Sequence, residues 1–596
     1  MWSSGRFPFN LTLQYDKSMI LRTQFTENTR DHLALLGAWL CALVIVLYPI
    51  FDYDLYWHLA NGREMVQNGR IISEDVFSFT HFGEKFENHE WLSQIIWYLI
   101  WHNLGLYGLL GFKLLVTSLV VLLLYRTIRI AGGQPGLAAV LCVFAVLAGL
   151  YRYIERPELF SLLNTTLVSF ILFGFRAGHL SRRLLWLVPL ILVVWDWLHG
   201  SVYGLALFAL FVAGENAKHF FPVLRHGQTL AREHLAYLNR CFAVAILAML
   251  ANPFGLRSYG IFIEFMSKKD VVDTASRIME FMPINWAEFK PYILLFAWAV
   301  LLSLRHIRRL DITQLLVLLV FGCGALRYSR VTGVAAIVLA PVIASLTMTG
   351  VRNAKGKLET NLHAVTVVLA AAFIAGYGYI AKFRDVSPQS FGYHVDEGYL
   401  PVGSVRFVKA AGLTGNLYNT GHFGGYLSFY LAPERKIFQY NLPKVFGDTY
   451  RFASHPEELA QWNINYAIVA NPDELATLFP ARDWARIYRD PGGILVVRRT
   501  PQNQELISQY EIRHFHPMMP DDGLRARAGN PDVVPRLAFE MGAYLAYRKD
   551  KRIAGLWEEI LAAQPNLRNQ PDIQRLLQQA QEYNNFGKLA QLAGQT

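Results

Sequence analysis

Charge is what this sequence has least of. Only 17% of its 596 residues are Asp, Glu, Lys or Arg, against 53% hydrophobic ones. That is too little charge to cover a soluble protein of this length and too many residues for one core, so the chain reads as a membrane protein. Cysteine is scarce too: Cys41, Cys142, Cys241 and Cys323 all fall in apolar segments without metal-ligand spacing and read as small buried hydrophobes. There is no Gly-rich phosphate loop ending in Gly-Lys-Ser/Thr, no His-Glu-x-x-His, no Gly-x-Ser-x-Gly and no paired Cys-x-x-Cys. A nucleotide-using enzyme is therefore disfavoured. Basic residues give a formal net charge of +11 but lie scattered between apolar stretches, which argues against nucleic acid as a partner. No cleavable signal peptide is visible in the polar first thirty-odd residues, and the apolar run starting near His32 is expected to act as an uncleaved anchor.

What the chain has in quantity is apolar runs. They centre on residues 33–50, 105–125, 134–151, 159–175, 185–198, 201–214, 240–252, 291–304, 312–325, 330–349 and 362–381, predicting about eleven membrane spans. Basic clusters around Arg30, Arg126, Arg176, Lys218, Arg305 and Lys355 fall in alternate connections, which places all six on the cytoplasmic side. The loop 51–104, the turn 152–158, the turn at His199-Gly200, the segment 253–290, the turn near Arg327 and everything after residue 382 then share the outer face. The expected location is a bacterial cytoplasmic (inner) membrane, multi-pass, with the C-terminal domain on the outer, periplasmic side.

Within the first outer loop, residues 54–68 predict an amphipathic helix stopped by Asn68-Gly69. Residues 91–104, rich in Trp and Tyr and too short to span, predict a helix in the interface plane. After residue 382 the composition is that of a soluble protein. Strands are expected at 415–419, 436–440, 466–470 and 493–497 and helices at 402–411 and 455–463, a small α/β domain over 382–500. Residues 501–596 read as a helical tail, with one tetratricopeptide-like helix pair at 535–566 that must dock on something. Gly424-Gly425 reads as a tight turn.

Chemistry concentrates on the outer side. Phe51-Asp52-Tyr53-Asp54-Leu55-Tyr56-Trp57-His58 leaves an apolar helix at the depth where bilayer meets water, and ionisable groups there call for a function. Asp54 and His58 share a helix face. An Asp-x-Asp pair suits a general base or a divalent-cation ligand, although either Asp could simply cap the helix. Glu90, in His89-Glu90-Trp91, could be a further acidic ligand or merely favour a helix dipole. Arg152, Arg156, Arg327 and Arg330 stand at outer helix ends, where Arg is under-represented; they suit a phosphate, or pair with Glu155 or Glu158. Asp196 lies inside an apolar helix near its outer end, with Arg152 or Arg156 as expected partners. His199 follows it, as a substrate contact or a helix-terminus residue.

These residues resemble the polytopic glycosyltransferases of the GT-C superfamily, and more closely bacterial members whose first outer loop reads Asp-x-Asp-x-Trp-His-Leu-x-x-Gly, then Asp-x-Phe-Ser-x-Thr, then His-x-Trp-Leu. Here those segments are Asp52 to Gly62, Asp75 to Thr80 and His89 to Leu92, and the likeness continues through Arg156-Pro157, Leu198-His199-Gly200, Asn252-Pro253, Arg327 and Gly424-Gly425-Tyr426. Tyr56-Trp57 stands where other relatives have Trp-Trp, and Tyr440-Asn441-Leu442-Pro443 where relatives often carry Asp-Gly-Arg. The resemblance implies an α-helical polytopic membrane protein with a GT-C-like domain over 1–381. It implies transfer of a sugar from a polyprenyl-phosphate-linked donor to a lipid, glycan or protein acceptor. Carried over, Asp52 and Asp54 are base or metal-binding groups; with the reading of the residues above, the catalytic candidates are Asp52, Asp54, His58 and Glu90, and the substrate-binding ones Arg152, Arg156, Asp196, His199, Arg327 and Trp57. Asp52 and Asp54 are the candidate ligands of a divalent cation, Mg or Mn. Expected partners are the lipid-linked sugar, membrane lipid and a protein docked on the helical tail. The competing expectation is a non-catalytic scaffold of an envelope or polysaccharide assembly complex.

Overall fold

The computed structural model describes residues 17–260, 279–353, 394–395, 398–440, 456–548 and 550–580. Each apolar run of the sequence within these residues is helical. In order they are α1 (Lys17–Val46), α2 (Asp54–Asn68), α3 (Trp91–Ile130), α4 (Pro135–Ala148), α5 (Glu158–Arg176), α6 (Leu187–Leu198), α7 (Val202–Phe220), α8 (Arg232–Ala248), α9 (Lys290–Arg305), α10 (Ile312–Arg327, with a π turn at Leu318–Gly322) and α11 (Thr332–Asn353). Among the described residues four helices, over Asn28–Val46, Trp91–Ile130, Glu158–Arg176 and Ser329–Thr349, are long and apolar enough to cross a membrane. Helix α4, with 14 residues, is shorter and, like α5 and α11, is packed inside the bundle, where neighbours can satisfy its ends. The expected span at 362–381 lies outside the described residues.

The bundle carries buried charge at two levels joined by α5. Before its first residue lies Arg156; at its last, Arg176 pairs with Glu215 and Asp311, and Lys218 bonds both of those carboxylates. The 19 residues between them rise about 28 Å, close to the thickness of a bilayer's hydrocarbon. A third buried pair, Lys113 with Glu155 at 2.7 Å, has its ammonium 4.3 Å above the ring of Tyr48. Cys142 and Cys241 are buried as expected, but Cys41 and Cys323 lie on the bundle's apolar outer surface, where a small hydrophobe faces lipid as readily as core.

In the first outer loop the sequence reading holds closely. Helix α2 spans the expected residues and stops at Gly69, whose φ of 63° is the left-handed conformation glycine allows. Helix α3 is two helices joined across a kink at Gly105 (φ 59°, ψ −149°), which ends the piece expected in the interface plane and begins the long apolar piece. Leu104 and Tyr107 beside the break are exposed, as residues resting on lipid would be.

The outer domain is a four-stranded sheet of order β1-β2-β4-β3, with β1 (Asn416–Asn419) parallel to β2 (Ile464–Val469) and both β3 (Trp484–Arg489) and β2 antiparallel to β4 (Ile494–Arg498). Two expectations fail here. Residues 436–440 are no strand of this sheet: Ile437 bridges Ser78 and exchanges backbone bonds with Phe77 and Phe79, both 3.0 Å, so the segment pairs with the first outer loop instead. Strand β3 was not expected, although Trp484, Arg486 and Tyr488 alternate with Ala485 and Ile487. Gly424-Gly425 is not a turn but the start of α13 (Gly424–Leu431), which follows α12 (Val402–Ala410) and lies on α2.

The tail forms its own apolar core around Leu537, Met541, Trp557 and Ile560 of α14 (Val534–Leu545) and α15 (Lys551–Ala563). It docks within the chain. Ile512 N donates to Arg486 O at 2.7 Å on the β3 edge, and Phe407 meets Tyr510 and Tyr547 ring to ring.

Candidate active site

Arg156 is the hub of the outer charged level. Its Nε and Nη2 form a fork onto both oxygens of Asp52, Nη2 at 2.5 Å, and Nη2 also lies 2.8 Å from Asp54 Oδ2. Its Nη1 donates to Glu280 Oε1 at 2.7 Å. Arg152, buried, bonds Glu158 at 2.9 Å and the same Glu280 oxygen at 3.0 Å. The turn that carries both arginines is held by Tyr48, whose hydroxyl donates to Tyr153 O at 2.6 Å. Gly333 makes room for it, since a Cβ there would come within 3.2 Å of Arg152 Cβ. Charges taken this far out of water persist only when paired and hydrogen-bonded. Burial alone would raise the Glu280 carboxyl, but Arg152, Arg156 and Arg330 outweigh it and hold it well below the usual carboxylate range.

Asp52 and Asp54 differ. Asp52 is 3% exposed and also accepts the backbone N–H of Asp54 at 3.2 Å, so it combines a helix-start role with the ion pair. Asp54 keeps 22% of its side chain accessible and is the more accessible carboxylate of the two.

Beside this pair lies a second group. Glu90 is buried, with His58 Nδ1 3.8 Å, His89 Nε2 3.8 Å and His199 Nε2 3.6 Å from its carboxylate. His199 Nδ1 is 2.7 Å from Ser161 Oγ, which also accepts from the Trp195 indole at 2.7 Å. Burial pushes the Glu90 carboxyl up to about 8, against the pull of Arg330 and Arg156. Burial, with Arg156 next in weight for His58 and Arg330 for His199, holds both histidines well below their ordinary range. At neutral pH the group is therefore a protonated carboxyl among uncharged imidazoles, able to donate a hydrogen bond.

A carboxyl raised from 4.5 to about 8 on folding leaves stability untouched below pH 4.5. It erodes stability as pH rises toward 8, while the unfolded chain ionises and the folded one does not. Glu90→Gln is expected to remove that part of the slope, a few kcal/mol at most. Thermal unfolding in detergent between pH 5 and 8 measures it; an unchanged slope in the variant would place the pH dependence elsewhere.

Other expected residues lie differently. Asp196 does not meet Arg152 or Arg156: it accepts from Asn252 Nδ2 at 2.7 Å and from Ser201 Oγ at 3.4 Å, because the helix end turns it toward the Asn252-Pro253 turn. Arg327 is exposed, its guanidinium 4.8 Å above the Tyr328 ring. Arg330 holds the inward place, 4.8 Å above Phe281, with no ion pair among the described residues and no hydrogen-bond partner at Nε. Glu155 pairs with Lys113, so of the two acids expected for the arginines only Glu158 serves. Trp57 lies under α13, where a Cβ on Gly425 would come within 2.9 Å of it, and among the described residues its Nε1 has no hydrogen-bond partner. Tyr56 packs against Tyr426 at 4.7 Å and thus faces the outer domain. Asp75 is bound by Phe77 N and Ser78 N and by the Tyr440 hydroxyl, 2.8 Å away, so it ties the loop to the outer domain. Asn441 to Pro443 lie outside the described residues.

Sequence reasoning missed Glu280, which sits in a segment without a motif, and Lys113, for which a lone cation in an apolar run was the available signal.

The residues do not fit a divalent cation. The carboxylate oxygens of Asp52 and the nearer one of Asp54 face the Arg156 guanidinium, and among the described residues no group of three or more His, Cys, Asp or Glu is arranged to hold a metal.

No protein-family model and no curated protein matches the chain. Solved structures do. The apo oligosaccharyltransferase of Archaeoglobus fulgidus matches over 79% of this chain and 74% of its own, with a TM-score of 0.52 at 12% identity. The same enzyme tethered to an acceptor peptide containing the NVT sequon matches over the same shares with a TM-score of 0.47 at 10% identity. ArnT from Cupriavidus metallidurans bound to undecaprenyl phosphate matches over 78% of this chain and 97% of its own, with a TM-score of 0.40 at 14% identity. At this identity the likeness is one of fold, and the chain shares that fold with the Archaeoglobus fulgidus oligosaccharyltransferase.

Proposed function

We propose that the chain is a membrane glycosyltransferase that moves a sugar from a polyprenyl-phosphate-linked donor to a lipid, glycan or protein acceptor at the outer face of a bacterial cytoplasmic membrane. The observation that carries the reading is the accessible carboxylate of Asp54, 2.8 Å from the half-buried Arg156 at the end of a helical bundle, with Arg330, whose Nε has no hydrogen-bond partner among the described residues, on the same side. Asp54, oriented by Arg156, takes the proton of the acceptor hydroxyl. The acceptor oxygen attacks the anomeric carbon, the bond from that carbon to the phosphate oxygen breaks, and the lipid phosphate leaves with the electron pair, inverting the sugar. Asp52 fixes Arg156 and so the geometry. Arg330, whose Nε has no hydrogen-bond partner among the described residues, receives the phosphate, and the protonated Glu90 with His58 and His199 offers donors to the sugar or the leaving group.

Incubation of the protein in lipid nanodiscs with a panel of polyprenyl-phosphate sugars tests this through released polyprenyl phosphate. A charge-assisted bond to phosphate contributes about 1.5–3 kcal/mol. Arg330→Ala should therefore raise the donor KM by about 10- to 100-fold, while Arg327→Ala, exposed and over Tyr328, stays near wild type. Equal effects of the two variants would remove Arg330 from the phosphate site.

A further inference from the structure

We infer that Arg156 stands in for a divalent cation, so that the carboxylates at the mouth of the bundle form a cation cage closed by the chain's own guanidinium. The inference rests on the glycosyl-transfer reading only for its consequence in catalysis; the cage itself is a property of the chain.

Three carboxylates from two separate parts of the sequence converge on one point. Asp52 and Asp54 come from the start of α2 and Glu280 from the turn before α9. Four of their oxygens are satisfied by the fork of Arg156: both of Asp52, one of Asp54 at 2.8 Å and one of Glu280 at 2.7 Å. Acids on unrelated segments do not gather this way without a cation, since like charges at such distances repel strongly in a low dielectric. A guanidinium supplies five donors in a fixed plane and cannot lose its proton. A magnesium ion would need the same oxygens at about 2.0–2.1 Å, which Arg156 already holds. Arg152 reinforces the exclusion, because it shares the Glu280 oxygen at 3.0 Å. With the buried Arg152 and the half-buried Arg156 inside the acid group and Arg330 beside it, there is little negative charge left to attract a further dication.

Two consequences follow. Transfer should not depend on added Mg or Mn and should survive chelation. Removing the guanidinium should convert the cage into a metal site, because Asp52 and Asp54 would then face the vacated space without their arginine, beside a Glu280 that Arg152 still bonds at 3.0 Å.

The test is Mn²⁺ binding to the full chain in detergent, read by electron paramagnetic resonance, with thermal unfolding as a second readout. The wild type is expected to bind no stoichiometric Mn²⁺ and to melt at the same temperature with Mn²⁺ or EDTA. Arg156→Ala is expected to bind about one Mn²⁺ at submillimolar concentration and to be stabilised by it, and Arg156→Ala combined with Asp54→Asn to lose most of that binding. Tight Mn²⁺ binding by the wild type that Asp54→Asn abolishes would overturn the inference, and it needs no variant at residue 156. An Arg156→Ala protein that folds and binds no Mn²⁺ would overturn it as well. Absence of sugar transfer under all conditions, with the binding pattern as expected, would instead count against the proposed function and leave the cage standing.

Discussion

Asp54→Asn is expected to lower transfer by about 10² or more, the usual contribution of a positioned general base, with insertion and folding unchanged. The substitution keeps the size of the side chain and one hydrogen-bonding oxygen toward Arg156, 2.8 Å away, and removes only the charge. Asp54 retains partial solvent access, so losing its charge does not strand a buried cation, and Asp52 and Glu280 continue to hold Arg156. Asp52→Asn should also depress activity but through a different route. Its carboxylate is buried and takes the fork of Arg156, and breaking a buried pair typically costs about 3–5 kcal/mol. The two variants therefore separate in a thermal-shift measurement run beside the transfer assay: Asp54→Asn melts near wild type and Asp52→Asn melts lower. A fully active Asp54→Asn protein would remove that residue from the chemistry.

The second large effect is expected at the seam between outer domain and loop. Gly424 and Gly425 open α13 where it lies on α2. A Cβ on Gly424 would collide with Gln439 O and Tyr440 Cα, and one on Gly425 would reach 2.9 Å from Trp57 N, Trp57 Cβ and Tyr53 O. Those are backbone and near-backbone atoms, which cannot swing aside as the end of a long side chain can. Overpacking of this kind costs about 1–3 kcal/mol or more, and the strain falls on the residues flanking Asp54. Gly425→Val is expected to reduce transfer at least tenfold and to expose the 70–90 loop to protease, since α13 also holds Arg63 through carbonyls of Ser428, Phe429 and Ala432. Limited proteolysis in nanodiscs measures it; a wild-type digestion pattern together with wild-type activity would show that the seam is not part of the working site.

What the sequence made legible was whatever depends on local periodicity. Helix α2, its stop at Gly69, the interfacial half of α3 and the helices of the bundle follow from apolar spacing and one left-handed glycine. The chemistry was legible as a shortlist, because an Asp, Glu or Arg at the edge of an apolar run is conspicuous. Its wiring was not. That Arg156 would join Asp52, Asp54 and Glu280, that Asp196 would turn to Asn252 and that Arg330 rather than Arg327 would point inward are matters of helix rotation and distant packing. In α10 and α11 the two arginines are three residues apart across an irregular connection at Ser329–Val331, where a helical count of faces fails. Residues 436–440 show the same limit in the outer domain, since a short β-prone segment does not say which partner it will pair with.

The most direct test is complementation of a strain lacking the chain, using the full-length Asp52→Asn, Asp54→Asn double variant beside a truncation after residue 500. If the carboxylates do chemistry, the double variant fails to complement, and so does the Asp54→Asn single variant, which inserts at wild-type level. Full complementation by the double variant, with failure of the truncation, would contradict catalysis at this site and identify the chain as a scaffold.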